Sequence, residues 1–96
     1  MELIILSLKY FVLSNKNDGT SNALNYLYNN MPKSDILILS TLEDGCDYHK
    51  YYEHAWVIII PENSSREEKV EICKQFSKNN EFESIIILDD NSILTI

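Results

Sequence analysis

Four short apolar runs, each the length of a β-strand, constrain the fold of this chain more than any other feature. They are residues 2–13, 35–41, 55–60 and 84–88. The run AWVIII at residues 55–60 contains no charged or hydroxyl side chain, and it predicts a buried central strand. Residues 92–96 follow a turn at Asp89-Asp90-Asn91 and predict a further strand that returns as a hairpin partner.

Two amphipathic patterns lie between these runs and predict helices. Apolar residues recur at helical spacing over residues 23–31, and Pro32 ends that segment. The second helix is predicted to begin at a capping box within residues 64–68 and to run to about Lys78. The predicted order of elements is therefore β-α-β-β-α-β-β.

This order predicts an α+β fold, a ferredoxin-like β-α-β-β-α-β sandwich with an extra C-terminal strand, in a single domain of residues 1–96. The first and third strands, which most need burial, would then lie in the middle of the sheet. A small open α/β sheet with helices on both faces is the alternative. It requires residues 43–54 to form a crossover, and these residues show no apolar helical stripe.

The excess negative charge lies entirely in the second half of the chain. The net charge is −7, and residues 1–42 contain three acidic and three basic residues, whereas residues 43–96 contain twelve acidic and five basic residues. Direct binding of nucleic acid is disfavoured, because Lys and Arg supply the affinity for phosphates. An anionic membrane surface is disfavoured for the same reason. A basic protein is the partner that this charge would attract.

Neither the termini nor the cysteines indicate export or membrane insertion. The chain contains no apolar run long enough to span a bilayer, and the apolar N-terminus lacks the basic residues of a signal peptide. Cys46 and Cys73 are too few to form the disulfide framework of a secreted mini-protein. We therefore expect a reduced, cytoplasmic protein, located in the host cytoplasm if it is viral.

Residues 43–54, EDGCDYHKYYEH, combine one cysteine and two histidines with acids and tyrosines. Cys46, His49 and His54 could ligate zinc, but a single close Cys–His pair lacks the two-pair spacing of structural zinc sites. An activated Cys46 thiolate is also disfavoured, because acidic neighbours raise the pKa of a thiol. We therefore predict no metal, no cofactor and no catalytic residue, and we keep a small Cys/His metal-dependent protein as the second alternative.

The acids and tyrosines of this segment, together with the acids around the second helix, form the predicted partner-binding surface. Tyrosine is frequent at binding hot spots because it combines a large contact area with a polar tip. Packing of these tyrosines over the end of the sheet is the alternative interpretation. The predicted partner-binding residues are Glu43, Asp44, Asp47, Tyr48, Tyr51, Tyr52, Glu53, Glu62, Glu67, Glu68 and Glu71.

The charge distribution and the absence of a catalytic motif lead to one functional prediction. We expect a small acidic, non-enzymatic binding protein, an inhibitor from a phage or mobile element that mimics the charge of DNA. Its partner would be a basic, nucleic-acid-processing host enzyme of defence, restriction or repair. A ligand-binding or regulatory ferredoxin-like domain is the first alternative, and a homodimer is left open.

Overall fold

The computed structural model describes residues 8–92, in which four strands alternate with three α-helices. The elements are β1 (Leu8–Leu13), α1 (Asn22–Asn30), β2 (Ile36–Ser40), α2 (Leu42–Tyr51), β3 (Trp56–Ile59), α3 (Arg66–Asn79) and β4 (Ser84–Asp89). A short 3-10 helix at Lys33–Asp35 precedes β2. All strand pairs are parallel, and the order across the sheet is β3-β2-β1-β4.

This topology corrects the predicted ferredoxin-like sandwich, because an all-parallel sheet does not fit the antiparallel sheet of that fold. Successive parallel strands of a sheet must be joined by a crossover connection. Helices α1, α2 and α3 form the three crossovers that join each strand to the next strand along the chain. The architecture is that of the small open α/β sheet that the sequence left as the alternative. The predicted hairpin strand over residues 92–96 lies outside the described residues except for Ser92, as do residues 2–7 of the predicted first strand.

Helix α2 is the element that the sequence pattern did not reveal. Its buried side is formed by Gly45 and Tyr48, and Tyr52 continues that side at the helix end. Glycine adds nothing to an apolar pattern and tyrosine is ambiguous, so no stripe is visible in the sequence. Gly45 allows α2 to approach β3 closely, since a Cβ at this position would lie 3.0 Å from Cδ1 of Ile59.

The two faces of the sheet are covered by different helices. Helices α1 and α2 cover one face, where Leu24, Leu27 and Tyr48 pack against Val12 and Ile38. Helix α3 covers the opposite face. Successive residues of a strand point to opposite faces, so this face contains the strand residues that alternate with those facing α1 and α2. The buried residues of that second layer are Phe11, Leu13, Leu37, Leu39, Ile60 and Cys73.

The position of β3 in the sheet differs from the prediction. Every residue of β2 is buried, whereas Trp56 is 58% exposed and Ile59 is 49% exposed. Within the described chain β3 is an edge strand, so the prediction that residues 55–60 form a central strand is wrong. Strand β2 is central because the first two crossovers move the chain in the same direction across the sheet. Strand β1 is central because the third crossover returns the chain across the sheet and places β4 beside it.

The predicted capping box of the second helix is confirmed, and a side-chain cap also begins α1. The side chain of Ser21 accepts a hydrogen bond from the backbone N–H of Leu24 at the start of α1. At the start of α3, Ser65 and Glu68 form a reciprocal capping box. None of the helices in the described range combines the length and apolar character that crossing a membrane requires.

Substitutions of Gly45 test the close approach of α2 to β3. We expect Gly45→Leu to lower the free energy of unfolding by about 1–3 kcal/mol, because its side chain must displace Ile59 and Val57. Gly45→Ala should change stability little, since its Cβ meets the far end of the flexible Ile59 side chain at 3.0 Å and lies in ordinary contact with Val57 at 3.7 Å, while alanine favours the helix by about 0.5–1 kcal/mol. Urea unfolding measures both, and equal midpoints for the two variants would contradict this packing.

Candidate functional site

All three helices begin at the same end of the sheet, because each follows a parallel strand. We call this end the carboxyl edge; it comprises residues 14–21, 41–44, 60–69 and 90–92. The opposite amino edge comprises residues 31–35, 52–55 and 80–83. Open parallel sheets bind ligands in crevices outside the carboxyl ends of their strands. The carboxyl edge is therefore the expected location of a binding site in this fold.

Most of the acids in the predicted partner-binding set meet at the carboxyl edge. Glu43 and Asp44 lie in the first turn of α2, and Glu67 and Glu68 lie in the first turn of α3. Glu62 lies in the loop between them, and all of these except Asp44 are exposed. The topology explains the grouping, because acids are favourable at the positive ends of helix dipoles and all three helices start here.

Four other predicted residues lie away from this group. Glu71 is exposed on the second turn of α3, while Glu53 follows α2 and lies at the amino edge. Tyr48 and Tyr52 are only 1% and 2% exposed, so their burial removes them from the predicted partner surface. These two tyrosines belong to the core under α2. Tyr51 is about half exposed and remains available for contact.

Asp44 and Asp47 already have partners within the protein. The side-chain amide of Asn17 donates to Oδ1 of Asp44 at 3.0 Å and to Oδ2 of Asp47 at 3.1 Å. Asp47 also pairs with Lys50 at 3.1 Å on the surface. These bonds tie the loop after β1 to α2, so both carboxylates are held in place rather than free to rearrange.

A buried polar network centred on Asp90 organises the loop after β1. The Tyr48 hydroxyl donates to Oγ of Ser14 at 2.8 Å, and Ser14 donates to Oδ1 of Asp90 at 2.6 Å. The other carboxylate oxygen of Asp90 accepts the backbone N–H groups of Asn15 at 2.7 Å and Lys16 at 3.2 Å. Burial raises the pKa of Tyr48 to about 12, so its hydroxyl stays protonated and acts as a donor.

The cysteines and histidines do not converge on one site. Cys46, His49 and His54 are all exposed, and in residues 8–92 no three His, Cys, Asp or Glu side chains lie close enough together to hold a metal ion. Both histidines lie outside the carboxyl edge. Cys73 lies on the buried side of α3, and burial raises the pKa of its thiol to about 11, which keeps the sulfur protonated and unreactive.

A crevice with a volume of about 210 Å³ opens at the carboxyl edge. It forms because the connection after β2 leaves toward the face of α2, while the connection after β3 leaves toward the opposite face. Its apolar lining residues are Leu39, Ile60 and Pro61. Its polar walls are Ser14, Asn15, Ser40, Thr41, Asp44, Asn63, Ser64 and Lys69.

Exposed carboxylates surround this edge, and the crevice itself is lined by hydroxyls, amides, the Asp44 carboxylate and the Lys69 ammonium group. No protein-family model matches this chain, and no significant match is found among curated proteins or solved structures. Except for Asp44, the crevice residues were not singled out from the sequence. The sequence signal for these crevice residues is weak. Most of them are polar residues that directly follow an apolar run, where a parallel strand would end.

Proposed function

We propose that this protein is a small acidic binding protein without catalytic activity, which engages a basic protein through its carboxyl edge. The observation that carries the proposal is the grouping of the exposed carboxylates of Glu43, Glu62, Glu67 and Glu68 at one end of the molecule. Separate surface carboxylates at one end produce a local negative potential that steers a positively charged partner into contact.

The partner we propose is a nucleic-acid-processing enzyme of host defence, restriction or repair. Such an enzyme has a basic groove that binds DNA phosphates, and carboxylates at fixed spacing can compete for the same groove. We propose that the protein acts as an inhibitor, that it originates from a phage or mobile element, and that it works in the host cytoplasm.

The rigidity of the acidic residues supports this mode of binding. Glu43 and Glu67 sit in the first turns of helices packed on the sheet, and Glu68 is held by the capping box. The cation of Arg66 is paired with Asp89 at 2.7 Å, so it does not neutralise the neighbouring carboxylates of Glu67 and Glu68. Tyr51 offers the exposed aromatic surface that specific interfaces commonly use.

A matched pair of triple variants tests the proposal. E43Q/E62Q/E67Q neutralises three exposed acids of the carboxyl edge, and E53Q/E81Q/E83Q neutralises three exposed acids of the amino edge. We expect the native protein and the amino-edge variant to retain nucleic-acid-binding proteins from a bacterial lysate. The carboxyl-edge variant should lose them, with Kd for a purified captured enzyme rising at least about tenfold.

The salt dependence and a competition assay complete this test. Captured proteins should be released by raising the ionic strength, because screening weakens contacts between exposed charges. A captured enzyme should also lose its affinity for a DNA duplex when the native protein is added. The proposal is wrong if both triple variants capture the same proteins as the native chain, or if a captured enzyme binds DNA and this protein simultaneously.

A further inference from the structure

The crevice at the carboxyl edge is not used by the proposed contact with a basic partner, and its lining has a different character. The acids of that contact lie outside it, whereas the crevice contains hydroxyl and amide groups with one charged group on each of two opposing walls. These charged groups are Asp44, from α2, and Lys69, from α3. The two helices cover opposite faces of the sheet, so the crevice separates the two charges.

Among the described residues of this region, Lys69 is the cation whose ammonium group has no side-chain partner. Arg66 is paired with Asp89, and the ammonium of Lys16 lies 3.4 Å from the side-chain oxygen of Asn91. Within residues 8–92 the Lys69 ammonium makes no ion pair or hydrogen bond. Lys69 as a residue is partly buried, and it also lines an adjoining cavity of about 190 Å³. An ammonium group with three unused donors favours an anionic group beside it.

Asp44 provides the opposite charge, and its carboxylate has acceptor positions that are not used within the protein. It accepts hydrogen bonds from Asn17 at 3.0 Å and from the hydroxyl of Thr41 at 3.4 Å. A carboxylate offers about four acceptor positions, so it can accept an ammonium group in addition to these two bonds. Asp44 and Lys69 do not form an ion pair with each other, and each therefore remains free to bind an oppositely charged group in the crevice.

We propose that this crevice binds a small zwitterion of the α-amino-acid class. Lys69 binds the carboxylate of the ligand, Asp44 binds its ammonium group, and the side-chain amide of Asn15 and the hydroxyl oxygen of Ser64 contact its polar side chain. The volume of about 210 Å³ equals roughly seven water molecules, which suits a molecule of this size. This site goes beyond the proposed protein–protein function and does not depend on it.

The charge of the whole protein selects a zwitterion over a simple anion. The net charge of −7, most of it near this edge, repels a phosphate or a free carboxylate before it reaches Lys69. A simple cation would be attracted to Asp44 but repelled by Lys69. A ligand with no net charge is not repelled at long range, and its two opposite charges can still pair with Lys69 and Asp44 at short range.

Titrations of the ¹⁵N-labelled full chain test this site. The probes are the standard amino acids taken one at a time, inorganic phosphate, and, for each amino acid that binds, the matching carboxylic acid without its amine and the amine without its carboxylate. We expect at least one amino acid to give saturable shifts at the amides of residues 41–44 and 63–69. Its one-charge analogues and phosphate should bind at least about tenfold more weakly.

Four variants connect binding to the two walls. Lys69→Met and Asp44→Asn should each raise Kd for the amino acid at least about tenfold, while Lys74→Met, an exposed site on the same helix, should leave it unchanged. E43Q/E62Q/E67Q should also bind as the native chain does, which separates this site from the partner surface. The proposal is overturned if no standard amino acid binds saturably, if phosphate or a one-charge analogue binds equally well, or if folded Lys69→Met retains native affinity.

Discussion

Replacing Phe11 by alanine is expected to lower the free energy of unfolding by about 3–5 kcal/mol, the usual cost of removing a buried phenylalanine. Phe11 lies on the central strand β1 and is fully buried beneath α3. Its ring packs against Phe76 and Phe82, each with a centroid distance of 6.2 Å. Because these contacts hold α3 on the sheet and small domains are only about 5–15 kcal/mol stable, we expect a large fall in the urea midpoint.

Trp56→Ala is the control for this experiment. Tryptophan is the larger side chain, yet we expect its removal to cost only about 1–2 kcal/mol, because more than half of it is already exposed to solvent at the sheet edge. The comparison also tests the strand order. If Trp56→Ala destabilised the protein as much as Phe11→Ala, β3 would have to be buried, and the order β3-β2-β1-β4 would be wrong.

Replacing Asp90 by alanine is expected to cost about 2–4 kcal/mol, although the residue looks like an ordinary turn acid in the sequence. Asp90 is 6% exposed, and its carboxylate is the acceptor for Ser14 and for the backbone N–H groups of Asn15 and Lys16. Removing it leaves the buried Ser14 hydroxyl and the two backbone N–H groups without their carboxylate acceptor. Urea unfolding measures the loss, and hydrogen exchange should accelerate at the amides of Asn15 and Lys16.

The neighbouring residue provides a matched control. Asp89 is exposed and pairs with Arg66 on the surface, so Asp89→Ala should cost less than about 1 kcal/mol. Asp90→Asn should be intermediate, because the amide keeps one acceptor oxygen but presents an NH₂ group where the second oxygen was. Equal midpoints for Asp90→Ala and Asp89→Ala would show that the network does not stabilise the fold.

The Asp90 network also links stability to the candidate site. Ser14 and Asn15, which Asp90 holds, line the crevice at the carboxyl edge. Asp44 and Asp47 are held by Asn17 from the same loop. The polar residues that follow β1 therefore position both the crevice wall and the start of α2. A change at Asp90 should consequently disturb the crevice even in variants that remain folded.

Features that depend on neighbouring residues could be predicted from the sequence. The helical spacing of residues 23–31 and the capping box at Ser65 and Glu68 correspond to α1 and α3 as observed. The acidic character of the second half is a property of composition, and it needs no structure. Helix capping and apolar periodicity act over three or four residues, so the local sequence contains the necessary information.

Features that depend on close approach between distant residues could not be predicted in the same way. Gly45 allows α2 to pack closely on β3 because it has no side chain against Ile59. A pattern of apolar residues does not show this, since glycine is not part of such a pattern. From the sequence, Tyr48 could equally be a partner-contact residue or a core residue. Only its packing against residues of β1 and β2 shows that it belongs to the core. The predicted surface therefore contained two buried tyrosines.

The amino-acid sequence by itself determined the strand segments over residues 8–92, the helices α1 and α3 with their caps, and the location of the negative charge. Only the tertiary structure decided that β3 runs parallel at the edge of the sheet, that Asp90 is buried, and that Asp44 and Lys69 lie on opposite walls of one crevice. The reason is that strand order and crossover direction follow from contacts between distant segments. These contacts decide which of several locally acceptable arrangements buries the most apolar surface while satisfying the polar groups.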